Sequence, residues 1–255
     1  MREQLDACGA AVRSILIEPD ARNTAAAILA ATLSIAQEDE SASILVLPSD
    51  HLIEDNLAFR QAVLEAAAAE NGQIITFGIQ PTRAETGYGY MELEHAGSLK
   101  AAAPQPLVRF VEKPSQETVE AMIESGRYLW NAGIFLFSPA VMIDAFHTHA
   151  PAHLVSVTQS IEQASADLCF QRLAPEPWSR LANVSIDYAI MEKANNLAVM
   201  PYSKGWTDLG DWRSVWEKST KDEDGNARFG PSLAMGCSNS LLRSEADEVQ
   251  VVGIG

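Results

Sequence analysis

Short apolar runs recur along the chain, and a segment with helical character separates each run from the next. The runs are rich in Ile, Val, Leu and Phe, a composition that is typical of buried strands. The pattern predicts strands at 43–47, 74–78, 107–111, 134–137 and 197–201.

The segments between these runs carry residues that begin and end helices. Ser and Asn side chains accept hydrogen bonds from the first backbone N–H groups of a helix, and proline fits the first turn. Glycine commonly follows the last turn, as Gly126 does here. The predicted caps and helical segments are Asn56 before 57–70, Ser115 before 116–125, Ser138 with Pro139 before 140–146, and Ser185 before 186–194.

The alternation of strands and helices predicts an α/β fold with a mostly parallel sheet and helices on both faces. In such sheets a ligand binds in the crevice outside the carboxyl ends of the strands. The strand at 43–47 stops at Pro48, and Asp50 follows two residues later. Asp50 is therefore expected at the ligand-binding edge, although a carboxylate after a strand also fits a plain turn.

The composition changes near Lys221, where the polar segment KDEDGNARFGPS is typical of a linker. We expect residues 1–220 to form one domain, and residues 221–255 to form a linker and the start of a small β unit. The chain opens within a helical segment that has no capping residue before it. We therefore expect a fold that is incomplete at its N-terminus and a β unit that is cut short.

Charge and cysteine content narrow the classes of partner. The 255 residues carry a formal net charge of −16, so the chain repels phosphate backbones and nucleic acid is not expected to bind. Cys8, Cys169 and Cys237 are too far apart to indicate a disulfide framework or a zinc knuckle. The segment MREQLDACGAAVR carries charges where a signal peptide needs an apolar stretch, and no apolar run is long enough to span a bilayer. We expect a cytoplasmic protein without membrane contact.

The first candidate binding group lies in EPDARNTAAAI, residues 18–28. Asn23 and Thr24 open an alanine-rich helix, and Asn23 taken alone fits an N-cap. A helix N-terminus also offers free N–H groups to an anion or to a carbonyl-bearing base, and Arg22 adds a planar cation. From the residues alone, both alternatives stay open.

Three further segments place polar groups near predicted strands. Gly87 in AETGYGYMELE fits either a tight turn or a close backbone approach to a polyhydroxylated ligand. Glu112 and Lys113 fit either a solvated ion pair, or a carboxylate for sugar hydroxyls beside an ammonium for a phosphate. Asn131 either closes a turn or bonds vicinal hydroxyls. The usual dinucleotide and P-loop fingerprints are absent from the sequence.

The segment KGWTDLGDW places Asp208 between two tryptophans and a glycine. Tryptophans more often pack than recognise a ligand, and an Asp before a glycine is common in turns. Asp50 and Asp208 nevertheless form a pair of carboxylates from distant segments. With triphosphate oxygens and water, such a pair supplies the hard oxygen ligands that Mg²⁺ prefers.

Together and in this order, the motifs resemble those of mannose-1-phosphate guanylyltransferases, in particular the bacterial enzymes in which that domain precedes a phosphomannose isomerase domain. Each motif is weak alone, and it is the order of all seven that carries the resemblance. The RNTA stretch favours the guanylyl branch over glucose-1-phosphate nucleotidylyltransferases. The motifs are EPDARNTAAAI, LPSDHLI, TGYGYME, FVEKP, WNAGIFLF, SIDYAIMEK and GWTDLGDW.

The resemblance implies a Rossmann-like nucleotide-diphospho-sugar transferase sheet and a role for each motif. Carried over position by position, these roles divide into nucleotide, sugar and metal binding. They are nucleotide binding by Glu18, Arg22, Asn23, Thr24, Ser49 and Asp50, sugar binding by Gly87, Glu112, Asn131 and Asp187, metal binding by Asp50 and Asp208, and catalysis by Asp50, Lys113 and Asp208.

The implied reaction converts GTP and mannose 1-phosphate to GDP-mannose and pyrophosphate, with Mg²⁺ as cofactor. The protein forms either a monomer or a homo-oligomer. Family members begin with a strand and a Gly-rich loop that grips the triphosphate, and this sequence contains no such segment. We therefore expect the chain to turn over little or no substrate. The alternatives are a non-catalytic sugar-nucleotide-binding or interaction protein, and a nucleotidylyltransferase for another sugar 1-phosphate.

Overall fold

Helices and strands alternate along the chain in the computed structural model, which describes residues 2–95, 102–168, 170–247 and 251–254. Cys169, named above, lies outside these residues. Within them, every helix is too short or too polar to cross a bilayer. The helices are α1 (Arg2–Ala7), α2 (Asn23–Ala36), α3 (Asn56–Ala69), α4 (Gln116–Ser125), α5 (Pro139–His149), α6 (Pro151–Glu162), α7 (Pro175–Ser179) and α8 (Trp212–Lys218), and a π-helix spans Asp187–Met191.

Every strand that an apolar run predicts is present, as β2, β4, β6, β7 and β10. The observed β7 is longer than predicted and begins six residues earlier, at Tyr128. The strands are β1 (Ile15–Ile17), β2 (Ile44–Val46), β3 (Leu52–Ile53), β4 (Ile74–Ile79), β5 (Tyr90–Leu93), β6 (Gln105–Val111), β7 (Tyr128–Phe137), β8 (Ser165–Asp167), β9 (Phe170–Arg172), β10 (Leu197–Tyr202), β11 (Trp206–Thr207), β12 (Ala227–Phe229), β13 (Ser232–Met235), β14 (Leu241–Arg243) and β15 (Val251–Ile254).

The predicted helix caps have different outcomes. Ser115 caps α4 through a hydrogen bond that its side chain accepts from the Thr118 N–H, and Gly126 ends that helix with a φ of 64°. Pro139 occupies the first turn of α5 as predicted, but Ser138 forms no cap bond with the described residues. The Ser185 side chain accepts a hydrogen bond of 3.4 Å from the Tyr188 N–H, as the predicted cap requires, but the segment that follows forms a π-helix.

The main sheet has six strands in the order β2-β7-β4-β10-β6-β5, and β5 also pairs with the start of β7. The predicted α/β class is confirmed. The prediction that the sheet is mostly parallel was wrong, because β4–β10 is the only parallel pairing in this sheet among the described strands. The long strand β7 lies between β2 and β4 and is antiparallel to both. Apolar runs reveal that strands exist, whereas their direction depends on distant pairing partners.

The core lies between the main sheet and a layer formed by α2, α5 and α6, which pack on one another. Alanines on α2 are fully buried, so the helix backbone approaches its neighbours closely. Leu29 of α2, Phe146 of α5 and Val157 of α6 are completely buried in the same cluster as Phe137 of β7. This packing fixes the start of α2, where two of the predicted binding residues lie.

The chain divides into two units, and the second consists of Ser49–Asn56 and residues from Lys204 onward. In it, β3 pairs with β11 in antiparallel orientation. The strands β12 and β14 pair in parallel, as do β13 and β15. A carboxylate oxygen of Glu54 lies 2.6 Å from the Lys218 ammonium. Strands do occur after position 221, but the domain boundary at 220 stays a prediction.

Gly78, the penultimate residue of β4, provides a test of how tightly this sheet is packed. A Cβ atom at this position would lie 2.6 Å from Leu129 Cδ1 and 2.7 Å from Val199 Cγ2. We expect Gly78→Ala to reduce the free energy of unfolding by about 1–3 kcal/mol, because the buried neighbours must move. Urea denaturation of the purified variants measures this change.

The matched control is the double variant Gly78→Ala with Leu129→Ala. Because Leu129 supplies two of the three close atoms, the combined loss should be smaller than the sum of the two single losses. Additive losses, or a Gly78→Ala variant as stable as the parent chain, would contradict the described packing.

Candidate functional site

A cavity of about 370 Å³ in the first unit collects residues from three separate segments. Five residues that the sequence singled out line it, and they come from the start of α2, the end of β6 and the π-helix. Neighbouring positions that the sequence did not single out complete the lining. The five predicted residues are Asn23, Thr24, Glu112, Lys113 and Asp187, and the additional ones are Asn183, Val184, Ser185 and Tyr188.

The start of α2 is anchored to the segment that precedes the π-helix. The Thr24 hydroxyl accepts a hydrogen bond of 2.9 Å from the Ile186 N–H, and the Ala25 N–H donates to the Val184 carbonyl oxygen at 3.4 Å. Arg22, not Asn23, occupies the N-cap position, so the interpretation of Asn23 as a simple cap was wrong. The Asn23 side-chain oxygen instead accepts from the adjacent Thr24 N–H at 2.9 Å.

Two of the residues that line the cavity have unusual backbone conformations. Asn23 has a φ of 65° and Lys113 a φ of 46°, both in the left-handed region that favours glycine. Lys113 also precedes Pro114, which restricts its backbone further. Each such conformation costs about 1–3 kcal/mol and persists only where the surroundings impose it, as they often do at binding sites.

Glu112 and Lys113 form the turn that follows β6. The Lys113 ammonium lies 3.5 Å from a carboxylate oxygen of Glu112, whose side chain is only 8% exposed. Gly89 leaves room for this carboxylate, because a Cβ atom there would lie 2.6 Å from Glu112 Oε2. Gly87, the predicted sugar contact, does not line the cavity, and its N–H donates to Glu85 Oε1 at 3.0 Å.

Asn131 on β7 stands at the centre of a hydrogen-bond network that reaches the cavity. Its amide nitrogen donates to Asp187 Oδ1 at 2.9 Å. Its amide oxygen accepts from the buried Thr76 hydroxyl at 3.0 Å and from the Gly133 N–H at 3.1 Å. The predicted sugar-binding residue Asn131 therefore holds Asp187 in place. Thr76 was missed, and its only signal in the sequence is a hydroxyl within an apolar strand.

The carboxyl groups of the cavity are easier to protonate than usual. Burial, then the nearby charge of Asp187, raises the pKa of Glu112 from 4.5 to about 7, and the Lys113 ammonium opposes this rise. Burial also raises the pKa of Asp187, while hydrogen bonds from Ser185 and Asn131 act in the opposite direction. Two neighbouring carboxyls with raised pKa values in a cavity are typical of a functional site.

Glu18 and Arg22 lie outside the lining of this cavity. Glu18 directly follows β1, and partial burial raises the pKa of its carboxyl. Arg22 donates to the Ser179 carbonyl oxygen at 3.3 Å and lies 3.1 Å from Asp20. Its Nε is buried without a hydrogen-bond partner among the described residues. The structure therefore separates Glu18 and Arg22 from Asn23 and Thr24, with which they were grouped.

In the second unit, Asp50 and Asp208 flank one histidine. The antiparallel β3–β11 pair sets Leu52 opposite Thr207. The next residues outward, His51 before Leu52 and Asp208 after Thr207, therefore lie near each other. Burial lowers the pKa of His51, and the charges of Asp50 and Asp208 both oppose that change. Trp206 donates to His51 Nδ1 at 3.3 Å. Ser49, which precedes Asp50, is exposed.

This pair of carboxylates fits the expected magnesium ion. Among the described residues, no cluster of three or more His, Cys, Asp and Glu side chains could enclose a metal. Mg²⁺ is usually held by one or two carboxylates together with substrate phosphates and water. Two carboxylates are a donor set of this kind, and the pair of Asp50 and Asp208 stays the predicted metal site.

The raised pKa of Glu112 predicts how stability changes with pH. A carboxyl whose pKa is higher in the folded than in the unfolded chain stabilises the fold fully below about 4.5 and loses this contribution as pH rises through about 7. We expect Glu112→Gln to lose less stability than the parent chain over this interval, because its side chain stays neutral. Urea denaturation at the two ends of the interval tests this.

Burial also raises the pKa of Asp187 and of Glu18, so both carboxyls add to the loss of stability as pH rises. The comparison therefore needs a matched variant. Glu120→Gln replaces an exposed carboxylate on α4 that bonds to Gln116, and it should follow the parent chain. If Glu112→Gln and Glu120→Gln show the same dependence on pH, Glu112 is not protonated as described.

Known proteins resemble this chain over nearly its whole length. A mannose-1-phosphate guanylyltransferase of Sinorhizobium fredii is 41% identical over 99% of the chain, and the xanthan biosynthesis protein XanB of Xanthomonas campestris is 41% identical over 93%. The chain covers 49% and 50% of these two proteins, so it spans about half the length of the curated relatives it matches.

A solved structure and a family profile agree with this similarity. A crystal structure from Thermus thermophilus, described as a mannose-1-phosphate geranyltransferase, superposes with a TM-score of 0.75 at 33% identity and covers 93% of this chain and 67% of its own. The profile described as nucleotidyl transferase matches residues 2–225. The predicted relationship to mannose-1-phosphate guanylyltransferases is confirmed, and the chain belongs to the nucleotidyl transferase family.

Proposed function

We propose that this chain contributes to a mannose-1-phosphate guanylyltransferase, which forms GDP-mannose and pyrophosphate from GTP and mannose 1-phosphate. The observation that carries the proposal is the cavity that gathers Asn23, Thr24, Glu112, Lys113 and Asp187. Hydroxyl acceptors and a cation in one cavity suit a sugar phosphate. Relatives with this activity in their names are 36–41% identical to the chain, which supports the choice of substrates.

Each residue has a proposed role in binding the sugar phosphate. The carboxylates of Glu112 and Asp187 accept hydrogen bonds from mannose hydroxyls, and the Lys113 ammonium neutralises charge on the phosphate. Asn131 acts on the sugar through Asp187, to which its amide donates at 2.9 Å. Gly87 is assigned a backbone contact with the sugar, and in this structure its N–H donates to Glu85 Oε1 at 3.0 Å. A site of this kind binds its ligand by position and charge and needs no enzyme nucleophile.

Nucleotide contacts are proposed for each unit by itself. In the first unit, Asn23 and Thr24 present polar groups to the base, with Glu18 and Arg22 as outer contributors. In the second unit, Ser49 and Asp50 are the proposed contacts. Asp50 and Asp208 would hold Mg²⁺, which supplies positive charge to the triphosphate in an otherwise acidic protein. This arrangement also explains how a chain with a net charge of −16 binds anionic substrates.

The proposed reaction is a displacement at the α-phosphorus of GTP. A phosphate oxygen of mannose 1-phosphate forms the new P–O bond, the bond from the α-phosphorus to the bridging oxygen breaks, and pyrophosphate leaves with that electron pair. Catalysis rests on orientation of the two phosphates and on cations that offset the developing negative charge. Lys113 is the protein cation that we assign to this task.

Binding of mannose 1-phosphate to the purified chain tests the sugar site directly. We expect Asp187→Asn to weaken binding by at least about tenfold, because a charged acceptor for a sugar hydroxyl is lost. Isothermal titration calorimetry with mannose 1-phosphate, and with glucose 1-phosphate for comparison, measures both affinity and selectivity.

Glu120→Gln on α4 is the matched control and should bind as the parent chain does. A parent chain that binds neither sugar phosphate would contradict the proposed site. Equal affinities for the two sugars would support the alternative of a nucleotidylyltransferase for another sugar 1-phosphate.

A second assay tests the metal pair and turnover. Release of pyrophosphate from GTP and mannose 1-phosphate with Mg²⁺ should be abolished by Asp208→Asn, whereas this variant should bind mannose 1-phosphate with unchanged affinity. Substrate binding without pyrophosphate release in the parent chain would agree both with the low turnover expected above and with the non-catalytic alternative. Release that survives Asp208→Asn would contradict the assigned metal site.

A further inference from the structure

Glu192 lies immediately after the π-helix and connects two segments of the cavity. Its carboxylate oxygen Oε1 accepts a hydrogen bond of 3.1 Å from the Glu112 N–H, at the end of β6. Its own N–H donates to the Asp187 carbonyl oxygen at 2.9 Å. We propose that Glu192 is a positioning residue that holds the Glu112–Lys113 turn against the π-helix, so that both carboxyls face one ligand. The inference rests on the proposed function for the identity of that ligand.

The turn requires such support because its backbone conformation is unfavourable by itself. Lys113 has a φ of 46° and stands before a proline, so local preferences oppose the observed geometry. On one side, the Ser115 cap fixes the start of α4. On the other side, the Glu112 N–H lies beyond the last residue of β6, and the Glu192 carboxylate is its partner.

The π-helix determines where Glu192 lies. The bond from the Glu192 N–H to the Asp187 carbonyl oxygen joins residues five apart, one more than in an α-helix. Asp187 and Glu192 therefore stand at the two ends of one wide turn. Asp187 is bonded to Asn131 of β7, and Glu192 is bonded to the end of β6. The two carboxylates of this turn therefore bond to different strands.

Glu192 also affects the charge balance of the turn. The charged groups that act on Glu112 are Asp187 and Glu192, which favour its protonated form, and Lys113, which favours its ionised form. A positioning role through the hydrogen bond and a role through charge can be separated by substitution. Glutamine keeps an oxygen that accepts from the Glu112 N–H but has no charge, whereas alanine removes both.

The test compares Glu192→Gln and Glu192→Ala, with Glu120→Gln as a matched exposed control on α4. Hydrogen exchange of the Glu112 amide reports the hydrogen bond without any ligand. The side-chain carboxyl ¹³C shift of Glu112, assigned with Glu112→Gln, reports its protonation. Calorimetry with mannose 1-phosphate reports the consequence for the site.

We expect Glu192→Ala to speed exchange of the Glu112 amide and to weaken binding of mannose 1-phosphate by about tenfold. Glu192→Gln should keep most of the protection and affinity, while the titration midpoint of Glu112 moves to lower pH. Unchanged exchange and affinity in Glu192→Ala would overturn the proposal. A parent chain that binds no mannose 1-phosphate would refute the proposed function instead, and the exchange and titration results would still decide the role of Glu192.

Discussion

The hydrogen bond between the Asn131 amide and Asp187 joins the main sheet to the π-helix, and the candidate site is arranged around it. Asn131 is held on its strand by Thr76 and Gly133, so its amide is oriented before any ligand arrives. Asp187 is then placed beside Glu112, and burial, followed by the charge of Asp187, raises the pKa of Glu112. One neutral amide thus connects the packing of the core to the electrostatics of the cavity.

The candidate site also concentrates features that are unfavourable elsewhere in a protein. Left-handed residues at Asn23 and Lys113, a π-turn and two carboxyls with raised pKa values lie around one cavity. The left-handed residues do not stabilise the fold, and the two carboxyls lose their contribution to stability as pH rises. They persist because the sheet and the α2, α5 and α6 layer are well packed, and such local strain is a common property of binding sites.

Much of this arrangement could be predicted from the sequence. Each apolar run became a strand, the Ser115 cap of α4 is present, and five residues from distant motifs line one cavity. Strand direction could not be predicted, because β7 pairs with segments far away in the chain. The π-helix was missed for a similar reason, since its partners lie far away in the chain. The Ile186 N–H donates to the Thr24 hydroxyl, and Asp187 accepts from the Asn131 amide.

A pKa of Glu112 near 7 would couple the proposed ligand binding to the proton on this carboxyl. At neutral pH the carboxyl exists as a mixture of both forms. If the ionised form accepts hydrogen bonds from the ligand, each binding event releases a fraction of a proton to the solvent. The heat of binding would then include the ionisation enthalpy of the buffer, and the same ligand would give different calorimetric enthalpies in phosphate and in Tris.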